Sequence, residues 1–489
     1  MGLIGHSGYD TLILDIGDVL LTRSRKANTS TDPKTLRALF SSSIWFDYEC
    51  GRLSEAECYA ALADQYGLET SKVRQALNDA RASLRVNEEL VAEIHALKSA
   101  SGRRLRVFAF ANISKSDWEF LFHQYTGWDS FDAVFTSFSI GERKPALFTY
   151  RHVLSKGGIN PAKAILIDNR IENIVSARSL GITGIRFDNT ANVIRQLRNL
   201  IGDPVRRGRE FLRKNAGQMD SETEAGTIIR DNFAQLLILD LTQNKSLVYV
   251  DQSNGTWNLY QEGSAGVSTN DFNTTSLAYI GLKRLRHTAD AVLDEISTYA
   301  YLDPDKIVPV SSDRHRHAVD PTVSCNILRF FYHFNRGQEV TATLNYVDSI
   351  LRHRAYLDGT HHHPSPDSFL YFLTRLVHDY GDKNPDLRCQ FQVMLRERLR
   401  ERVNKKGCAL SIAMRARACQ MMGISAAADV KSLQAMQCDD GGWPMVWYRR
   451  CGQTGLRMGN RGVTTAMAVD AIATHIRESS PSSFFTPRF

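Results

Sequence analysis

The 489-residue chain has no cysteine pair at short spacing. Its eight cysteines (Cys50, Cys58, Cys325, Cys389, Cys408, Cys419, Cys438 and Cys451) are scattered. That argues against a disulfide framework and for the thiols of a reducing compartment, so the expected location is cytoplasmic. No apolar run reaches the length of a membrane span, and the N-terminus lacks a basic segment followed by an apolar one. Met1-Gly2 is followed at the sixth position by His6, not by Ser or Thr, which weakens a myristoylation reading. No basic block lies behind the net charge of +7. A nucleic-acid partner is therefore not expected, and anionic small substrates such as phosphates suit the charge better. What remains is an ordinary globular composition, 43% hydrophobic and 23% charged, with room for two or three domains.

The texture of the chain changes once. From residue 9 to near residue 200, short apolar runs alternate with helical patterns. Tyr9–Leu14, Arg106–Ala111 and Ala164–Ile167 read as buried strands, and stretches such as Glu88–Ser99 and Ile174–Leu180 read as helices. This alternation predicts an α/β domain with a parallel sheet, whose ligands bind at the carboxyl ends of the strands. Residues 202–226 are charged and read as an exposed linker, part of it helical. Beyond them, apolar spacing near 3.6 over 227–240, 276–286, 290–301, 322–334, 340–353, 368–380 and 386–404 predicts a mostly helical second half. The expected domains are thus 1–201, a linker at 202–226, an all-α domain at 227–478 and a loose tail at 479–489.

The first strand ends in Leu14-Asp15-Ile16-Gly17-Asp18. An Asp exposed at a strand end before a tight turn can attack phosphorus and hold Mg²⁺. Asn112 follows the second strand, Gly141-Glu-Arg-Lys144-Pro145 supplies a cation, and Ile165-Leu-Ile-Asp168-Asn169 ends another strand in a carboxylate. Over nearly 200 residues this set resembles the haloacid dehalogenase-like hydrolases, an α/β fold with a small helical cap. The resemblance implies Asp15 as nucleophile, Lys144 as phosphate-stabilising cation, Asn112 at the substrate, and Asp15, the Gly17 carbonyl and Asp168 as Mg²⁺ ligands. Three positions depart from the family pattern. Gly17 stands where a general acid/base Asp is usual, Ala111 where a Ser or Thr precedes Asn112, and Asn169 where a second acid is usual. A working phosphatase site and a decayed one kept for folding both remain open.

The second half carries Asp271-Phe-Asn273-Thr274-Thr275, then Gln437-Cys-Asp-Asp-Gly441-Gly442-Trp443 and Asn460-Arg-Gly-Val-Thr464-Thr465. The first resembles the Asp-x-Asp-Thr-Thr acid motif of class II terpene cyclases, and the second resembles the Gly-Gly-Trp turn joining outer and inner helices in their helical barrels. Taken with the first half, the chain is similar to the fused haloacid dehalogenase-like/class II terpene cyclases that make drimane-type sesquiterpenes. The resemblance implies farnesyl diphosphate as substrate and a bicyclic drimenyl or albicanyl diphosphate as product. In some members dephosphorylation to the alcohol follows. Protonating an unactivated alkene requires an acid oriented in a dry pocket. Asp271, Thr274 and Thr275 would hold that acid. Aromatic faces would stabilise the passing carbocation, and the candidates are Trp257, Tyr260, Phe330, Phe331, Tyr332, Trp443, Trp447 and Tyr448.

Position 273, where the family has its acid, is an amide. A natural non-cyclising relative, an engineered Asp→Asn exchange and a proton donor elsewhere are the open explanations. The intact surrounding motifs favour a recent or deliberate change over long drift. No Asp-Asp-x-x-Asp motif precedes a helix, which argues against ionisation-first chemistry. Lys283, Arg284, Arg329, Arg449 and Arg461 are possible diphosphate partners. His361-His362-His363, followed by Pro364, reads as a surface loop and not as a metal site. The alternative function is a Mg²⁺-dependent isoprenoid phosphate phosphatase whose helical half only binds, and a non-catalytic scaffold is a third reading.

Overall fold

Thr11–Leu14, buried at every residue, is the middle strand of a five-stranded sheet in the computed structural model. The structure describes residues 8–23, 32–102, 104–125, 127–250, 255–261, 270–282, 286–313, 318–360, 362–450 and 455–479. The parallel sheet runs in the order Ala133–Thr136, Arg106–Ala111, Thr11–Leu14, Ala164–Asp168, Thr183–Arg186. Leu14 pairs in register with Ala109 on one side and Ile167 on the other, so Asp15 and Asp168 come level while Arg106–Ala111 runs further. Their near-continuous apolar runs follow from burial on both faces. One core lies on each face, around Leu12, Leu14 and Val107 and around Ile13, Phe110 and Leu166. Between the antiparallel strands Leu21–Arg23 and Leu84–Val86 the chain inserts four helices, Pro33–Phe40, Ser43–Glu49, Glu55–Tyr66 and Thr70–Ala82. They have a core of their own around Trp45, Tyr59, Leu62 and Leu77 and form a small cap.

The chain divides into two compact units, Met1–Asp203 and Pro204–Phe489. In the second, six helices close a ring in which each packs on the next. They are Asn232–Thr242, Phe272–Gly281, Pro321–His333, Pro366–Tyr380, Ala409–Met421 and Arg461–Ser479, the last returning to the first. Pro204–Lys214, Arg286–Leu302, Thr341–Arg352, Pro385–Arg402 and Ala427–Ala435 pack outside them. The result is a helical barrel.

Of the stretch 202–226, expected to be an exposed linker, residues 204–226 belong to this unit. Pro204–Lys214 buries Val205, Phe211 and Leu212, and Ser221–Thr223 pairs into a four-stranded sheet with Ile228–Ile229, Arg457–Gly459 and Trp447–Arg450. Its cationic residues hid an amphipathic helix. The motif Gln437–Trp443 explains why that helix stays. Gln437 Nε2 donates to Pro204 O and Gly441 O, at 2.9 and 2.8 Å. Gly441 has φ +91° and backs onto Arg207 O, where a Cβ would come within 2.5 Å.

Candidate active sites

In the first unit, the shared register of the central strands gathers Asp15, Asn112 and Asp168 at one sheet edge. Lys144 reaches them from the loop after Ser137–Ile140. Its buried Nζ lies 3.0 Å from Asp15 Oδ1 and 2.7 Å from Asp168 Oδ2, and it donates to Phe110 O at 2.7 Å. Burial pushes the Asp15 carboxyl up to about 7, against the pull of Lys144, and Asp168 adds to the rise. Burial alone would lower the Lys144 ammonium, but the two carboxylates outweigh it and raise it. The Asn112 side chain, expected at the substrate, is engaged at both ends with the Lys144 backbone. Its Nδ2 donates to Lys144 O at 2.9 Å, and its Oδ1 accepts from Lys144 N at 2.8 Å. It positions the cation. Asn173, which the sequence reading missed, donates from Nδ2 to both Asp168 oxygens at 3.0 Å. The signal available was its place on the first turns of the helix after Asp168.

A cavity of about 150 Å³ opens between this edge and the cap. Ile16, Gly17 and Asn112 line its floor, and Phe40, Trp45, Leu77 and Phe120 are among its apolar walls. Ion pairs join cap to core beside it. Arg81 meets Asp117 and Glu55, and Arg143 Nε lies 3.0 Å from Glu49 Oε2.

In the second unit, Asp271 caps the inner helix Phe272–Gly281. Its Oδ1 accepts from Thr274 N and Thr274 Oγ1, both at 2.6 Å, while Oδ2 lies 3.3 Å from Arg449 Nη2. Thr275 Oγ1 donates to Asp271 O at 2.7 Å and accepts from Trp257 N at 2.8 Å. Asp271, Thr274 and Thr275 are thus committed to holding the helix start. Asn273, one residue into the first turn, is 0% exposed. Its Oδ1 accepts from Asn326 Nδ2 of the neighbouring inner helix at 2.8 Å, and Asn326 Oδ1 accepts from Arg329 Nη1 at 3.1 Å. Asn273 Nδ2, by contrast, is buried with no hydrogen-bond partner.

The far end of the barrel is crossed by charge. Arg375 Nη1 lies 3.0 Å from Asp240 Oδ2 of the helix opposite, and Arg329 Nη2 lies 3.3 Å from Asp379 Oδ2. Arg329 therefore serves this network. Arg461 is structural as well, with both Nη atoms 2.7 Å from Asp440 and its guanidinium 4.7 Å from the Phe211 ring centre. Arg449 is buried, and its Nε and Nη1 make no hydrogen bond. Lys283, Arg284, His361 and the tail beyond residue 479 lie outside the described residues.

The aromatic candidates separate. Phe331 and Trp257 are buried in the barrel core, and Phe330 stacks on Tyr279 with ring centroids 5.0 Å apart. Trp443 is a packing residue. Its Nε1 donates to Leu433 O at 2.7 Å, and its backbone N donates to Thr465 Oγ1 at 3.0 Å, which pins outer helices to the inner Arg461–Ser479. Trp447 is half-buried on the edge of a surface cleft, beside the buried Tyr448. Of the surface loop expected at 361–363, His361 lies outside the described residues and His363 is corrected. His363 is 2% exposed.

A family model for the sesquiterpene cyclase astC-like C-terminal domain matches residues 205–334. The chain is 39% identical over 465 residues to the drimenol cyclase drtB of Aspergillus calidoustus, covering 94% of this chain and 87% of that one. The chain belongs to the fused haloacid dehalogenase-like/class II terpene cyclase family. It is also 29% identical over 194 residues to the sesquiterpene phosphatase astK of Aspergillus oryzae (strain ATCC 42149 / RIB 40), covering 40% of this chain and 97% of that one. Among solved structures, the HAD family enzyme bt-2542 of Bacteroides thetaiotaomicron, in complex with magnesium and inorganic phosphate, matches with a TM-score of 0.31 at 18% identity. That match covers 37% of this chain and 94% of the other. No described helix is long and apolar enough to cross a membrane.

Proposed function

We propose that this chain is a class II sesquiterpene cyclase that folds farnesyl diphosphate inside the helical barrel toward a drimane-type bicyclic diphosphate. Its first unit then removes phosphate to release the alcohol. One observation carries the cyclase reading. Asn273 is held through Oδ1 by Asn326, while its other heteroatom is buried and unpartnered. A carboxylic acid in the same place would accept from Asn326 on one oxygen and keep its O–H free to protonate an alkene. A buried polar atom without a partner costs about 1–3 kcal/mol, so its persistence points to a ligand at that spot. The amide supplies no such proton, and conversion by the chain as it stands is expected to be slow.

In the first unit the Asp15 carboxylate attacks the terminal phosphorus, the bond to the bridging oxygen breaks, and water frees phosphate from Asp15; a second round on the remaining monophosphate breaks the bond to the alcohol oxygen and releases the alcohol. Lys144 holds Asp15 in place and offsets phosphate charge. The donor set fits Mg²⁺. Asp15 and Asp168 are hard oxygen ligands at adjacent strand ends, the Gly17 carbonyl would be the third ligand, and a cation there would relieve the raised carboxyl of Asp15. No group of three or more His, Cys, Asp or Glu suited to a metal occurs among the described residues. The ion would therefore keep waters, as Mg²⁺ commonly does, and would neutralise the transferring phosphate. Seven free cysteines among the described residues support a cytoplasmic location.

Incubating the chain and its Asn273→Asp variant with farnesyl diphosphate tests the proposal. Bicyclic product rising in the variant supports it, with the free alcohol reporting the first unit. Farnesol alone from both proteins would favour the alternative, a phosphatase with a helical binding domain, which the amide at 273 by itself supports.

A further inference from the structure

His363 is a buried base that the proton-donating motif does not use. The loop before Pro366–Tyr380 turns tightly, with His363 N donating to Thr360 Oγ1 at 2.9 Å and Thr360 N to His363 O at 2.8 Å. This turn carries the imidazole inward. Its ring centre lies 6.1 Å from that of Phe233, on Asn232–Thr242, and 6.2 Å from that of Phe372, on Pro366–Tyr380. Those two helices stand opposite each other in the ring of six, so a group touching both lies across the barrel axis. Nε2 is buried with no hydrogen-bond partner. Burial holds the imidazole neutral, with its pKa lowered to about 3 although Asp320 pulls upward, while Arg449 and His362 lower it further.

We propose that His363 Nε2 is the base that ends the cyclisation, taking a proton from the bicyclic carbocation. The adjacent C–H bond supplies its electron pair to the cationic carbon and forms the alkene, while the proton passes to Nε2. With an acid at position 273, as in Asn273→Asp, one proton enters there and one leaves at His363, so the ring closure is a net isomerisation without an oxidant. Of the two rings beside the imidazole, Phe233 already carries the Arg449 guanidinium 5.0 Å from its centre, and Phe372 suits a cation, since aromatic faces attract positive charge electrostatically. Asp320 and Arg449 set the field around it.

The inference rests on the cyclase reading, and two measurements keep their failures apart. In the full-length Asn273→Asp chain, adding His363→Leu or His363→Gln should leave farnesyl diphosphate consumption within about tenfold. The alkene share should fall, with water-quenched bicyclic alcohols or shifted double bonds replacing it. An unchanged product distribution in either folded variant overturns the role. In the chain with Asn273 retained, a decalin-type tertiary amine, whose ammonium mimics the cation, should bind at least tenfold more weakly after His363→Leu, at unchanged melting temperature. Equal binding overturns the role even if no variant makes a bicycle. Absence of bicycle from Asn273→Asp itself would count against the cyclase reading.

Discussion

The two sites surround a buried position suited to a carboxyl group, occupied by Asp15 in one and by an amide, Asn273, in the other, in opposite ways. In the first unit Asp15 is crowded by charge. Lys144 touches it and Asp168 simultaneously and pulls toward an ionised nucleophile, against burial and Asp168, which raise the carboxyl to about 7. In the barrel, position 273 touches no charged group directly. Its one partner is a neutral amide, and charge begins only at the next step, where Arg329 holds Asn326. An acid that must give up its proton profits from a neutral partner on one oxygen and nothing on the other, whereas a nucleophile profits from a cation. The polarity of the partner, more than burial, distinguishes the two.

The largest effect expected is that of Asn273→Asp. General acid catalysis contributes about 10²–10⁴-fold, and the variant should raise bicycle formation by that order, measured as product per enzyme. Next, Asn326→Leu placed on that variant should lower kcat by roughly 10–100-fold with a smaller change in KM, because an acid that loses its orienting bond is misplaced. If kcat holds, the neutral-partner half of the comparison fails. Trp443→Ala should cost about 3–5 kcal/mol of stability in denaturant unfolding without changing product identity, since the indole pins helices together. A changed product spectrum would return Trp443 to the reaction.

The smallest effect concerns Mg²⁺ and pH. A folded Asp15 carboxyl at about 7, against an ordinary 3.8, means the fold binds more protons than the unfolded chain between those values. Its stabilising contribution is full below about 4 and is lost as pH rises through 7. Mg²⁺ competes with that proton, so it should raise the melting temperature of the first transition at pH 8 and do little at pH 5. Equal shifts at both would separate Asp15 from the metal.

The parts of this architecture that were legible in the sequence share a physical cause. Asp15 and Asp168 end apolar strands, and strand ends in parallel sheets converge, so their meeting with Lys144 could be anticipated. A 3.6-residue spacing was readable over 290–301, 340–353 and 386–404, which are outer helices, and over 227–240, 276–286, 322–334 and 368–380, which fall on four of the six inner ones. Ala409–Met421 and Arg461–Ser479 showed none that could be read, because nearly every position in their first turns is buried. The helix start at Phe272 was placed too late for the same reason, which hid the role of Asp271 as its cap. Asn326 and His363 had no sequence signal of their own. The first is a mid-helix amide whose meaning is a contact 53 residues away. The second sits in a run of histidines before a proline, a pattern that usually marks a surface. Trp443 was a candidate for the substrate because a tryptophan after two glycines says that something packs closely, but not whether it is substrate or helix.

A crystal structure of the chain soaked with farnesyl diphosphate tests the central claim most directly, since Asn273 should bind without turning substrate over rapidly. The account predicts the terminal alkene within about 3.5 Å of Asn273 Nδ2, inside the ring of six helices. Substrate bound elsewhere, with Nδ2 still facing only protein, would contradict it.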